Sequence, residues 1–284
     1  MKRLNILLLP LAFLLIGFQA KAQQIHLATY NIRYDNAGDS LNNWKYRKDQ
    51  LFNIVRFYDF DLFGVQEALV NQMNDLSAGL PEFAYVGKGR DDGDKKGEFS
   101  AIFYKKDRFK LLDNGMFWLS GTDLDKPNVG WDAALPRICT WAKFEDKKTH
   151  LVFYHFNTHF DHRGKEARKE SAKLILTKIK AIAGNTPTVL TGDLNVDQHD
   201  ESYHVIAESG ILRDAYQLAK IKLSDNATFN GFRPTLIDRN SRIDHIFLNK
   251  DFVAERYGVL TNSSLGRYPS DHFPVMTVLS VPTK

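Results

Sequence analysis

Cysteine is almost missing from this sequence: Cys139 is the only one in 284 residues. A lone thiol closes no internal disulfide, so an apolar core must do the stabilising. In its strand-like run Cys139 reads as a small buried hydrophobe. Zinc-type clusters such as H-E-x-x-H are missing as well. So are G-x-S-x-G, a Walker loop and a G-x-G-x-x-G after a strand. There is no internal repeat, heptad, low-complexity tract or Pro/Gly/Ser linker.

Long apolar runs are lacking except at the N-terminal end. There, Leu4 to Phe18 follows Lys2 and Arg3 and precedes Ala20-Lys21-Ala22. That pattern is a basic n-region, an h-region and an A-x-A cleavage site. The run is shorter than the ~20 residues a spanning helix needs. The expectation is a signal peptide over residues 1–22 and one mature domain over 23–284. The mature protein is then exported to a periplasm or beyond, with no stable membrane insertion after cleavage. An excess of charge is lacking too: 38 Lys and Arg oppose 34 Asp and Glu. Without Lys2, Arg3 and Lys21, 35 basic residues face 34 acidic ones. Such a chain is no polycation built to coat nucleic acid. Nothing in it points to a protein partner.

What is present is a mixture of strands and helices. Strand-like runs span Ile25–Ile32, Leu62–Gln66, Ser100–Tyr104, Ile138–Phe144, Leu151–Phe160, Thr188–Gly192, Arg242–Leu248 and Val275–Val281. They are short and rich in β-branched and aromatic residues. Helical spacing marks Tyr46–Tyr58, through Leu51, Ile54, Val55 and Tyr58, and Lys165–Ala183, through Ala172, Ile175, Ile179 and Ile182. The mixture predicts a single α/β domain with more strand than helix. The charged stretch Gly89–Glu98 reads as a surface loop without the spacing of a calcium motif.

Several of these strands run into polar side chains. "TYNIR" ends the first on Asn31, with Arg33 two residues on. "FGVQEA" puts Glu67 just past an apolar strand, and "HFNTHFDH" puts Asn157 and His159 on one face. "TGDLNVD" carries Asp193 and Asn195 at i and i+2, and "YPSDHFPV" sets Asp271 and His272 before the last strand. Taken singly, each has a plain reading as a turn, a cap or a structural histidine. Asp244 is different, because a carboxylate among Ile243, Ile246 and Phe247 is costly unless paired. At one sheet edge, Glu67, Asp193 and Asp271 with two amides and two imidazoles would favour Mg²⁺ or Mn²⁺ over zinc. Composition leaves a glycosidase open, though two carboxylates alone would serve it.

In order and wording these motifs resemble the endonuclease/exonuclease/phosphatase superfamily. T-Y-N-I-R, V-Q-E, S-A-I-F-Y, N-T-H-F-D, G-D-L-N, R-I-D-H and S-D-H-F-P follow one another from Ile25 to Val281. The resemblance implies a four-layer α/β/β/α sandwich, two mixed β-sheets face to face with helices outside, and a metal site at one end. It implies Glu67 as principal metal ligand, with Asn31 beside it and Asp271 close by, and Mg²⁺ as cofactor, Mn²⁺ being the substitute. Asp193 and Asn195 match the pair that positions the attacking water and contacts the phosphate. His272 matches the catalytic histidine and Asp244 the carboxylate that orients it. His159 matches a second histidine that contacts the phosphate or helps the leaving group, and Glu98 resembles the carboxylate behind it. These roles suit phosphoryl transfer, where fixed donors and a metal stabilise charge on non-bridging oxygens.

The activity implied is a metal-dependent phosphoesterase, hydrolysing a phosphodiester by direct water attack as nucleases do. The alternative is a phosphomonoesterase or a lipid, inositol or sugar phosphoesterase, and behind it a non-catalytic binder on the same fold. "NTHFDHRGKEARKESAKLIL" and "RICTWAKF" look most like the deadenylase/nocturnin side, in an exported bacterial-type member. The partner implied is a phosphoester, with single-stranded nucleic acid or a nucleotide among the candidates. Arg33, Arg90 and Arg137 are candidate phosphate contacts; Tyr34, Trp44 and Trp131 are candidate stacking surfaces. Asn157 either touches substrate or braces its strand end.

Overall fold

Alternation of side chains along the strands builds the molecule in layers. The computed structural model describes residues 24–223, 226–233 and 240–280. The expected signal peptide lies outside the described residues. A first sheet contains β1 (Gln24–Asn31), β2 (Leu62–Gln66), β3 (Phe83–Val86), β4 (Ile102–Lys105), β10 (Ile221–Lys222), β12 (Val253–Val259) and β13 (Val275–Ser280). Its order is β10-β12-β13-β1-β2-β4-β3. A second contains β5 (Phe109–Trp118), β6 (Ile138–Asp146), β7 (Val152–His159), β8 (Thr188–Asp193), β9 (Arg213–Asp214) and β11 (Asp244–Leu248), ordered β5-β6-β7-β8-β11-β9. Both are mixed: β1–β2 and β7–β8 run parallel, while β1–β13 and β8–β11 run antiparallel.

Adjacent residues of one strand enter different cores. Ile25 and Leu27 face the second sheet, whereas Ala28 and Tyr30 face the helices α1 (Trp44–Phe57) and α2 (Val70–Gly79). Likewise Val189 lies between the sheets, and Leu190 packs under α3 (Lys165–Ala183) and α4 (Glu201–Ala207). Three apolar clusters therefore separate four layers, the α/β/β/α sandwich that the resemblance implied. Cys139 is buried in the α3-side cluster, as its sequence context suggests.

Local chemistry sets the helix ends. Asn43 caps α1 by accepting from Lys45 N. α3 starts at Gly164 with no cap of its own, and Asp132, from a distant loop, accepts from Ala167 N at 2.7 Å. The short helix α5 (Ala215–Leu218) is capped by Asp214.

The two ends of the sandwich differ. Where β1 begins, Arg108 binds Gln24 O at 2.8 Å, Asp146 at 3.1 Å and Asp61, closing that end with a buried ion network. Where β1 ends, the space between the sheets fills with polar side chains instead, and there the surface opens into a cleft.

Candidate active site

Four strands deliver their last inward-facing residues to one point. Asn31 ends β1, His159 ends β7, Asp193 ends β8 and Asp244 begins β11. In register, His159 sits beside Asp193 across the parallel pair, and Asp244 sits opposite Asp193 across the antiparallel one. Glu67 follows β2 directly, and Asp271 and His272 precede β13. Three non-glycine residues at this edge, Arg33, Glu67 and Asn195, have φ values of 57°, 65° and 52°. Left-handed backbone at such residues is strained and concentrates at functional sites.

The stretch "TGDLNVD" has both a turn and a function in it. Asp193 Oδ1 accepts from Asn195 N at 2.8 Å, an Asx turn. Its Oδ2 faces the cleft, 3.6 Å from His159 Nε2 and 3.8 Å from His272 Nε2, and accepts from Asn31 Nδ2 at 2.9 Å. Asn195 Nδ2 donates to Phe160 O at 2.9 Å and lies 3.0 Å from His159 Nε2. His272 Nδ1 is 2.8 Å from Asp244 Oδ2.

The electrostatics separate the two imidazoles. Burial alone would lower His272, but the charges of Asp244 and Asp193 raise it well above the ordinary histidine range. His159 is driven the other way, by burial and then by the guanidinium groups of Arg137 and Arg90. Burial and the Asp244 charge push Asp193 up to about 7. Burial also raises Asp271 and Glu98, the latter against the pull of Arg90.

A cleft of about 630 Å³ opens here, lined among others by Arg33, Glu67, Glu98, Arg137, His159, Asp193, Asn195, Asp271 and His272. These positions, far apart in the chain, are brought together. Four carboxylates against two guanidinium groups make it unsuited to a phosphate unless a cation intervenes. The donor set is oxygen-rich, which fits a hard divalent ion. Glu67, which accepts from Asn31 Nδ2 and Tyr34 N, and Asp271, 3.8 Å from Arg33 Nε, are the carboxylates that would hold it. Asp193, Asp244 and His272 also offer ligand atoms within 4.8 Å of one another. There, however, Asp244 is committed to orienting the imidazole.

Asn31 stays at the site beside Glu67, its Nδ2 donating to Glu67 at 3.1 Å and Asp193 at 2.9 Å and its Oδ1 accepting from Arg33 N at 3.0 Å. It positions those carboxylates. Four of the expected substrate contacts, Asn157, Trp131, Arg90 and Trp44, lie outside this cleft. Asn157 reaches no substrate, being fully buried. Its amide donates to Val65 O and Ala101 O, and its oxygen accepts from Gln66 and Thr191, bracing one sheet against the other. Trp131 lines a different cleft. Arg90 is buried and paired with Glu98 at 2.7 and 2.9 Å, and Trp44 is buried with its indole on Asp75, so neither meets substrate.

Other residues emerge only in the fold. Phe229, half exposed, lies edge-on to the His272 ring at 5.0 Å, and His162, Leu135 and Ile243 line the rim together with Tyr34, the expected stacking residue that does lie there. Thr228 Oγ1 accepts from Ile243 N and Asp244 N, and Ser270 Oγ donates to Asn31 O. The serine stands in the quoted "SDH" motif, but Phe229 and Thr228 sit in a loop with no periodic pattern to flag them.

The profile of the "Endonuclease/Exonuclease/phosphatase family" matches residues 28–272. A mannosyl-6-phosphatase of Bacteroides thetaiotaomicron VPI-5482 is 45% identical, with 90% of this chain and 99% of that one covered and a TM-score of 0.86. A family protein of Bacteroides thetaiotaomicron is 44% identical over 93% of this chain and 100% of the other, with a TM-score of 0.88. The human Nocturnin catalytic domain, at 21% identity over 91% of this chain and 94% of its own, shares the fold with a TM-score of 0.73. With its motifs joined at one cleft and its family profile spanning that cleft, the chain belongs to the endonuclease/exonuclease/phosphatase family.

Proposed function

We propose that the protein is a divalent-metal-dependent phosphomonoesterase acting on a small sugar phosphate. The observation that carries the chemistry is the placement of the Asp193 carboxylate between two imidazoles of opposite tendency, 3.6 and 3.8 Å away. A carboxylate raised to about 7 is a base matched to neutral pH. In this reading Asp193 takes a proton from water as its oxygen attacks phosphorus, and the bond to the leaving alcohol breaks. That alcohol needs one proton, the number Asp193 has gained, so the cycle balances. His272, held protonated by Asp244, offers Nε2–H to a phosphoryl oxygen gaining charge. Asn195 keeps His159 turned to the cleft. A divalent cation held by Glu67 and Asp271 would supply charge neutralisation on the phosphoryl oxygens.

The sequence alone favoured a phosphodiester; two features support the monoester. Both guanidinium groups lining the cleft are paired, Arg33 with Asp39 at 3.0 Å and Arg137 with Asp161 at 3.3 Å, so neither is free to track a backbone. The similarity to the mannosyl-6-phosphatase, 45% identity, points the same way. The test is phosphate release from mannose-6-phosphate, run beside bis(p-nitrophenyl) phosphate and single-stranded RNA. Activity should depend on Mg²⁺ or Mn²⁺, vanish with EDTA and fall about 10³-fold in Asp193→Asn. Cleavage of the diesters with mannose-6-phosphate untouched would return the assignment to a nuclease-like enzyme.

A further inference from the structure

Trp131 is the aromatic that the catalytic cleft leaves unused. It is 37% exposed and sits at φ 51°, a left-handed conformation that a bulky residue seldom adopts. Its indole lies beside Gly121, where a Cβ would come 3.2 Å from Nε1. Among the described residues, that N–H has no protein acceptor. Trp44 and Trp118, by contrast, donate to Asp75 and to Arg90 O at 2.8 Å each. The ring forms one wall of a second cleft, about 410 Å³, whose other walls include Thr122, Glu170, Lys173 and Thr177. The last three share one face of α3, opposite the buried Ala172, Ile175 and Ile179.

The loop presenting the ring is preformed. Asn128 Nδ2 binds Asp123 O and Lys126 O, Ser120 Oγ bonds Thr122 Oγ1, and Asp132 is spent on capping α3. A rigid aromatic wall with hydroxyl, carboxylate and ammonium groups around it suits a ligand with an apolar face and hydroxyl edges. It does not suit a nucleotide, because the one cation lining it, Lys173, is already paired with Glu170. The loop joins both clefts: Leu119 N donates to Arg137 O, and Arg137 lines the catalytic one.

We propose that the Trp131 cleft is a carbohydrate subsite, holding a neutral sugar of an oligosaccharide whose phosphate is presented to the catalytic cleft. It rests on the sugar-phosphate reading for the choice of ligand and for the phosphate presented to the catalytic cleft. Sugar binding here raises affinity for phosphorylated oligosaccharides over free sugar phosphates and leaves the chemical step unchanged.

The test has two arms. In the first, the ¹⁵N-labelled protein is titrated with unphosphorylated mannotriose to about 10 mM, a range that detects millimolar affinity. Of the four tryptophan indole N–H signals, that of Trp131, identified by its loss in Trp131→Ala, should move progressively while the Trp44 and Trp118 signals stay. In the second, Trp131→Ala and, on the α3 face, Glu170→Gln should each raise KM for phosphomannosyl-mannotriose about tenfold or more. Their kcat, and their turnover of mannose-6-phosphate, should match the wild type. A stationary Trp131 signal, or one that moves with AMP and not with mannotriose, overturns the proposal. So does an unchanged KM in both variants. If neither phosphosugar is hydrolysed by wild type, the phosphatase reading fails, and the titration alone decides the subsite.

Discussion

Asp193 shares its carboxylate between structure and chemistry, with Oδ1 fixed by Asn195 N and Oδ2 turned to the cleft. Substitution by Asn keeps the shape and the turn but removes the base. Its kcat should therefore fall about 10³-fold while thermal unfolding stays close to wild type. His272→Ala should lose a comparable amount. Asp244→Asn is the more telling variant, since it leaves His272 in place but weakens the charge that holds it protonated. A loss of about 10²-fold or more in kcat is expected, measured on p-nitrophenyl phosphate under saturating Mg²⁺. Turnover equal to wild type in Asp193→Asn and His272→Ala alike would sink the mechanism. Asn157 predicts the opposite pattern. Replacing it with Leu removes its bonds to Val65 O and Ala101 O, the latter keeping only Val65 N, and those from Gln66 and Thr191, costing about 3 kcal/mol of stability in urea unfolding. Activity per folded molecule should survive; a specific loss of kcat would restore Asn157 to the site.

At the scale of elements, the site depends on strand ends meeting in register. Elements with strong patterns were legible from sequence: β2 and α3 match their expected ranges, and β1, β7 and β8 differ by a residue or two at their ends. The missed elements, α2, β3, β5 and β12 among them, have weak signals. β5 is largely solvent-facing, and "FKLLDNGMFW" mixes charged, polar and glycine residues, so alternation breaks down. Gly64 in β2 shows what such patterns cannot carry. A Cβ there would fall 2.2 Å from Asn157 Oδ1 and 2.7 Å from Thr191 Oγ1. Gly64→Ala should therefore separate the sheets near the site and lower stability by about 2 kcal/mol or more. An unperturbed melting temperature would show that the brace yields without strain.

For the whole molecule, the end opposite the cleft is held by Arg108 with Asp61 and Asp146. All three side chains are buried, so Arg108→Ala leaves Asp146 without a cation and Asp61 with Lys105 alone, and should cost about 3 kcal/mol. The catalytic rate of the folded fraction should not change. Acid should also destabilise the protein through its buried histidines. Burial holds His155 down at about 3, against 6.5 when unfolded. Between those values the unfolded chain binds a proton that the folded one refuses. Stability contributed this way is complete above pH 6.5 and is lost as pH falls toward 3, by at most about 1.4 kcal/mol per pH unit. His155→Gln should flatten the wild-type slope of unfolding free energy in that window; parallel slopes would contradict it. His245, also buried, shifts in the same direction.

The sequence by itself determined the alternation of the strands, the apolar stripe of α3 and the identity of the chemical groups. Those are local properties, written in spacing and residue type. Tertiary structure decided which polar residues share a point. Asn31, Glu67, Asp193 and His272 are spread over most of the chain; the pairing of β1 with β2 and β13, that of β8 with β7 and β11, and the face-to-face packing of the two sheets bring them to one edge. It also decided that Asn157, on the same face as His159 and two residues from it, stays locked between the sheets, while His159 reaches the opening. The same alternation places both side chains inward, and only depth along the strand distinguishes a brace from a reagent.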